Sequence, residues 1–145
     1  MRDHPNADKL YVMDVDLGDE RRQIVAGIRD NYTKGQLRGR KIALLANLQA
    51  ATLRGVESNG MLLAGEDAKD VGLVLPGEDA HVGDQVLGRR AAPRISFDEF
   101  KKLRLVVDEG GRVFFLGTGG ERVPLKVRDT SLRIDKGIPD GSPVH

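Results

Sequence analysis

The stretch "HPNADKLYVMDVDLG", residues 4–18, opens with a proline-led turn of small polar residues and runs into a segment of alternating apolar positions. From Lys9 to Leu17, Tyr11, Met13, Val15 and Leu17 fall on one side and Leu10, Val12, Asp14 and Asp16 on the other. That is the period of a strand. After a turn at Leu17-Gly18-Asp19-Glu20, "RQIVAG" (22–27) reads as a second strand, "KIALLAN" (41–47) as a third and the glycine-bounded "GMLLAG" (60–65) as a fourth. Between the last two, "LQAATLRGVESN" (48–59) reads as a long connection with turn chemistry at Arg54-Gly55 and Ser58-Asn59-Gly60. "EDAHVGDQV" (78–86) is expected to add a turn and a final short strand. Short strands at regular spacing with glycine punctuation predict a small β-barrel.

A chain of 145 residues suits one domain, or one small domain with an appendage, and is long enough to bury a core. Hydrophobic content of 39% with 31% charge describes a globular protein, and no run approaches the ~20 apolar residues of a membrane span. The opening "MRDHPNADK" has no apolar h-region of a secretory signal. Cysteine is absent, which excludes disulfides, thiolate metal sites and cysteine nucleophiles. A cytoplasmic setting is expected.

The net charge of +1 conceals a pattern. Residues 1–64 carry ten Lys and Arg against eight Asp and Glu, residues 65–88 one against six, and residues 89–145 twelve against eight. The sharpest positive cluster is "KGQLRGRK" (34–41), which holds Lys34, Arg38, Arg40 and Lys41 without an acid. A solvated loop and a phosphate-contacting loop both fit such a cluster.

Enzymatic chemistry finds little support. His4, His81 and His145 lie in turns or at the terminus without metal-ligand spacing. Asp14 and Asp16 share one side of a strand, where a solvated face explains them. Ser58 has no histidine and acid partners in view. "GTGG" (117–120) lacks the Gly-Lys-Ser/Thr of a phosphate loop and leads through Glu121 into a strand, so it reads as a hairpin turn. No catalytic residue, metal or cofactor is expected. The tail continues in short strand candidates, "RVFFLG" (112–117), "GERVPLKV" (120–127) and "SLRI" (131–134), with Phe114 and Phe115 expected in the core.

"HPNADKLY" (4–11), "IVAGI" (24–28) and "ANLQAATLRGVESNGMLLAG" (46–65), in this order and spacing, closely resemble the tRNA-binding OB-fold domain found at the C-terminus of many methionyl-tRNA synthetases, in free-standing tRNA-binding proteins and in endothelial monocyte-activating polypeptide. The resemblance covers residues 3 to about 88. It implies an all-β fold, an OB-fold of five strands in a Greek-key barrel with a small β-rich C-terminal extension. It also implies a non-catalytic module that grips the outside of tRNA by shape, free-standing or appended to an aminoacyl-tRNA synthetase. A protein-interaction or chaperone/dimerisation module on the same barrel is the alternative. Structured RNA is read through phosphates, 2′-hydroxyls and shape, whereas single-strand binders stack bases on aromatics. Residues 1–96 contain only Tyr11 and Tyr32 as aromatics, which disfavours single strands.

On the matching positions, Asn6 and Lys9 are expected to offer donors to RNA while Pro5 and Asp8 hold the turn. Lys34, Arg38, Arg40, Lys41 and Arg54 are expected on phosphates, with Asn47 and Ser58 completing the surface. Arg54, the basic residue before Gly55, is the foremost candidate. Where relatives often carry "NLKPKK", this chain has "NLQAAT" (47–52), which implies weaker tRNA affinity.

A second departure concerns a strand of the type "RVGRIVEV" that precedes the "HP" turn in the family, for which Met1 leaves no room. An unpaired edge is an association hazard. One reading lets "RISFDEFKKLRLVV" (94–107) replace that strand, so that Leu103 to Val107 is a buried strand at the open edge, within its own chain or swapped in a homodimer. The collinear reading makes the same segment the start of the extension, with a shortened N-terminus, a barrel over 1–92 and an extension over 93–145 packing on it.

Overall fold

The computed structural model describes residues 1–67, 70–86, 95–108, 110–117, 119–128, 130–139 and 141–144. Strands β1 (Arg2–Asp3), β2 (Tyr11–Asp16) and β3 (Arg21–Ala26) form an antiparallel sheet in that order, with Tyr11 opposite Ala26 and Asp16 opposite Arg21. The β2–β3 turn closes where the Leu17 amide donates to the Glu20 carbonyl (2.8 Å) and the Gly18 amide to Asp16 Oδ1 (2.8 Å). The basic cluster folds into a single helical turn, α1 (Lys34–Leu37), which buries Leu37. A capping box starts it: the Thr33 hydroxyl accepts from the Gln36 amide, and the Gln36 side chain accepts from the Thr33 amide.

Strand β4 (Leu44–Leu45) pairs with β7 (Met61–Leu62), and the chain between them, expected as a connection with a turn at Arg54-Gly55, carries two further strands around that turn. It is a hairpin of β5 (Ala51–Leu53) and β6 (Val56–Ser58). Its two-residue loop has φ of 53° at Arg54 and 86° at Gly55. Two successive positive φ values are what a type I′ hairpin turn requires, because its twist matches that of the flanking strands.

A second correction concerns the last barrel strand. β8 (Ala64–Glu66) pairs with β9 (Val71–Leu75), while residues 78–86 form turns closed by Ala80 N–H to Gly77 O (3.1 Å) and Asp84 N–H to His81 O (3.0 Å). The physical reason lies in "VGLVL", a short unbroken apolar run suited to a strand covered on both faces. Leu73 and Val74 are fully buried.

The C-terminal part begins with α2 (Phe97–Lys101), capped by Ser96 and Glu99. Strands β10 (Leu105–Val107), β11 (Val113–Leu116) and β12 (Arg122–Pro124) follow as an antiparallel sheet. The β11–β12 turn closes through Gly117 N–H to Glu121 O (2.8 Å), as a hairpin; Thr118 lies outside the described residues. β13 (Lys126–Val127) and β14 (Thr130–Ser131) form a short hairpin, and β15 (Arg133–Ile134) joins β9 in the order β15-β9-β8.

The displaced-strand reading is corrected here. Leu105–Val107 is a strand, but it pairs with β11, and the Val107 amide donates to Ser142 O (3.0 Å). β1 and β2 pair with neither. "FDEFK" stays helical and Leu103, 47% exposed, sits in the turn after it, so the expected buried strand is shorter and elsewhere. Ile95 bridges in parallel to Leu48, placing the start of α2 beside the loop that precedes the β5–β6 hairpin. Both Arg94 and the boundary drawn between 92 and 93 fall outside the described residues.

Two apolar clusters hold the molecule together. Tyr11, Met13, Ile24, Leu62 and Leu73 belong to one, and Leu63, Val74, Phe100, Val113, Leu132 and Ile134 to the other. Neighbouring residues on β9 feed opposite clusters, as alternation along a strand dictates. The wall formed by β9 is therefore shared between barrel and C-terminal segment.

Candidate nucleic-acid interface

The opening turn and the β5–β6 hairpin, almost fifty residues apart in sequence, are clasped together by a buried histidine. His4 is 4% exposed. Its Nδ1 accepts from the Asn6 amide (2.9 Å), which leaves the proton on Nε2, and that nitrogen donates to the Leu53 carbonyl (2.9 Å). Asn6 completes the clasp by donating from Nδ2 to the Arg54 carbonyl (3.2 Å). An open groove results, lined by Asn6, Ala7, Asp8, Lys9, Leu10 and Arg54. Three of the residues expected from the sequence thus share one groove: Asn6, Lys9 and Arg54, all exposed. The sequence reading did not foresee the role of His4; its place directly before Pro5 in the quoted turn was the available signal.

The hairpin base is fixed against β3. Gln23 Nε2 donates to Glu57 O (2.9 Å), the Asn59 amide to Gln23 O (2.8 Å), and Arg22 Nη1 to Ala46 O. Ser58 is buried, and its hydroxyl accepts from Val25 N–H (2.9 Å) while donating to Gly60 O (3.0 Å). Its hydrogen bonds run inside the protein. Asn47 is half-buried, in the loop whose carbonyl accepts from the Ile95 amide (2.8 Å).

The four cations of the 34–41 segment differ in what they face. Lys34 pairs with Asp3 (3.0 Å), as does Arg29 (3.3 Å). One carboxylate between two cations leaves a net positive charge there. Arg40 pairs with Asp135 (3.2 Å), whose side chain is 7% exposed. Asp135 Oδ1 also accepts from the Tyr32 hydroxyl (2.6 Å) and the Leu73 amide (3.0 Å), so Arg40 serves a buried carboxylate. Lys41 Nζ donates to Ala80 O (2.5 Å). Arg38 is exposed, touching only the Met1 carbonyl at 3.5 Å among the described residues. Lys9 faces Asp30 at 4.0 Å with side chains 82% and 67% exposed, a contact of little energy in water. Arg54, Asn6 and Lys9 line the groove, Lys9 faces Asp30, and Arg29, next to Asp30 in sequence, shares Asp3 with Lys34. Arg29 was not anticipated.

The electrostatics of the interior separate this surface from the rest. Burial, together with the hydrogen bond to Asp135, pushes the Tyr32 phenol far above its ordinary range. Tyr11 donates its hydroxyl to Tyr32 O (2.8 Å). Both tyrosines are buried, so neither offers a ring for base stacking. On the acidic side, the hydrogen bond from Arg128 and the His81 amide hold Asp84 down at about 2.

Comparison with known proteins follows from this geometry. Residues 1–85 match the family described as "Putative tRNA binding domain". Over 86 residues the chain is 49% identical to a methionine–tRNA ligase of Thermococcus onnurineus and 49% identical to that of Pyrococcus furiosus, covering 59% of this chain and 12% of each relative. The Nanoarchaeum equitans ligase is 43% identical over 86 residues. The chain therefore spans only about an eighth of these relatives. Among solved structures, the C-terminal domain of Plasmodium vivax p43 has the same fold, with a TM-score of 0.82 at 22% identity, over 98% of this chain and 88% of that one.

Proposed function

The chain belongs to the tRNA-binding domain family, and from that premise we propose that it is a non-catalytic module that grips folded tRNA on the surface running from Arg54 to Lys34. Its fold is the all-β OB-like fold. The observation that carries the reading is the hairpin tip. Arg54 occupies the first, left-handed position of a type I′ turn, with φ of 53°, where Asn or Gly is cheaper for the backbone. An exposed arginine kept at that conformational cost, its carbonyl clasped by Asn6 and its groove shared with Lys9, fits a contact to an anion.

In this reading Arg54, Lys9, Arg38 and Lys34 meet phosphates and Asn6 a phosphate or 2′-hydroxyl. Arg40 and Lys41 are tied to Asp135 and Ala80 and add background field, while Ser58 and Asn47 shape the loop. The domain is an arm that raises the hold of a larger protein-synthesis enzyme on its tRNA. The similarity to methionine–tRNA ligases supports a methionyl-tRNA synthetase as that partner, in the cytoplasm.

Titration of the chain with folded tRNA and with an unstructured RNA of equal length tests the proposal. Tighter binding of the folded RNA is expected. Equal binding of both would remove shape recognition, and no binding of either would favour a protein-interaction module.

A further inference from the structure

The sheet of β10, β11 and β12 has a covered and an open face. Val113, Val107 and Leu125 are buried, and Leu105 and Phe115 pack on the same core. Alternation then sends Arg112, Phe114 and Leu116 to the other side. Register completes that side: Phe114 lies opposite Val106 and Pro124, Leu116 lies opposite Arg122, and the Leu116 amide donates to Arg104 O (2.8 Å). Val106, Phe114, Leu116 and Pro124 are half-buried, while Arg104, Arg112 and Arg122 are exposed. The result is an apolar strip rimmed by three arginines.

Charge distinguishes this strip from an ordinary exposed sheet face. Arg112 is partly neutralised by Asp108, at 2.8 Å. Among the described residues, Arg104 and Arg122 have no ion-pair partner. The guanidinium carbons of Arg112 and Arg122 both lie 5.8 Å from the Phe114 ring centroid, within cation–π range, so the charges are gathered around the ring. The sequence reading expected Phe114 in the core; Phe115 is the one that packs there. A half-exposed aromatic on a sheet, flanked by cations, is the combination that stacks a base and holds its phosphates.

We infer that the open face of the β10–β11–β12 sheet is a second RNA-contact surface, on which Phe114 stacks an unpaired base of the bound tRNA while Arg104 and Arg122 hold the flanking phosphates. The inference rests on the tRNA-binding reading above. It adds a contact of a different kind, since both barrel tyrosines are buried. The two surfaces are joined through the Leu48–Ile95 bridge, which leads from the Asn47 loop into α2 and on to β10.

The chain contains no tryptophan, so single substitutions to tryptophan report locally. Phe114→Trp and, as a companion at the hairpin tip, Leu53→Trp are each titrated with folded tRNA and followed by fluorescence. Quenching of both is expected. Adding Arg104→Ala and Arg122→Ala, two exposed positions without an ion-pair partner among the described residues, should shift the Phe114→Trp titration to about five-fold higher tRNA or more and flatten the salt dependence by about 1.4 in slope. Phe114→Leu, which keeps apolar bulk but loses the ring, should bind about five-fold more weakly or worse. If Leu53→Trp is quenched to saturation while Phe114→Trp is silent, the inference is overturned and the barrel reading stands; a face that serves an acidic protein gives that result. If neither responds and no tRNA binds, both readings fall.

Discussion

Replacing Arg54 by Asn should make the protein more stable and a weaker RNA binder. At φ of 53°, an arginine holds a conformation that costs an ordinary L-residue about 1–2 kcal/mol, whereas Asn visits it readily. The Arg54 side chain is exposed, so little packing is lost, and the carbonyl that accepts from Asn6 remains in place. The expected gain is therefore part of the backbone cost, about 0.5–1 kcal/mol, read as a higher urea midpoint with an unchanged m-value. Binding should move the other way. Loss of one charge-assisted contact to a phosphate costs about 1.5 kcal/mol, roughly tenfold in Kd. Urea unfolding and tRNA titration on the same preparation give both numbers. A variant that is less stable, or that binds tRNA as well as the parent, would refute the assignment of Arg54 as a strained contact residue.

Other expectations follow from single contacts. His4→Ala removes two hydrogen bonds from a buried site and should cost about 2–4 kcal/mol in chemical denaturation, with loss of tRNA affinity, whereas exposed Asn6→Ala should stay within about 1 kcal/mol. Gly72→Ala, on β9, drives a Cβ into Ile134 Cγ2, a branch methyl close to the β15 backbone; thermal melting should show a loss of about 1–3 kcal/mol as β15 is pushed from β9. Asp84 is depressed from 3.8 to about 2, so its contribution is complete above about pH 4 and is lost as pH falls through 2. The difference in melting temperature between the parent and Asp84→Asn should accordingly shrink over that window. The Tyr32 phenol is raised, so its contribution holds below its ordinary value of 10.0 and fades as pH climbs past it. Ultraviolet titration of Tyr11→Phe should show no phenolate near pH 10 until the protein unfolds.

The parts of the fold legible in the sequence are those written in local pattern. Alternation along Tyr11–Asp16 and the glycine turn at 18 placed the β2–β3 hairpin. Motif order picked out Asn6, Lys9 and Arg54, and the fold sets all three in one groove. Local pattern also misled. The turn at Arg54-Gly55 was legible, but the β5–β6 strands were not: each has three residues, and Ala51–Leu53 is exposed throughout, with no apolar alternation to mark it. The β9 strand lies inside an acid-rich block whose charge drew the reading away from "VGLVL". Long-range pairing was not legible at all. Lys34, Arg40 and Lys41 look alike in a run of eight residues, yet their partners are Asp3, Asp135 and Ala80. Only the fold separates the cations that face solvent from those committed to the interior.

The salt dependence of tRNA binding by the 145-residue chain and by its Asn6→Ala/Lys9→Ala/Arg54→Asn variant tests the central claim most directly. The groove account predicts a linear fall of log K with log salt for the parent, and for the variant weaker binding with a slope smaller by about 1.4, for two lost phosphate contacts at about 0.7 each. Equal affinity and equal slope for the two proteins would contradict it and place the tRNA on another face of the molecule.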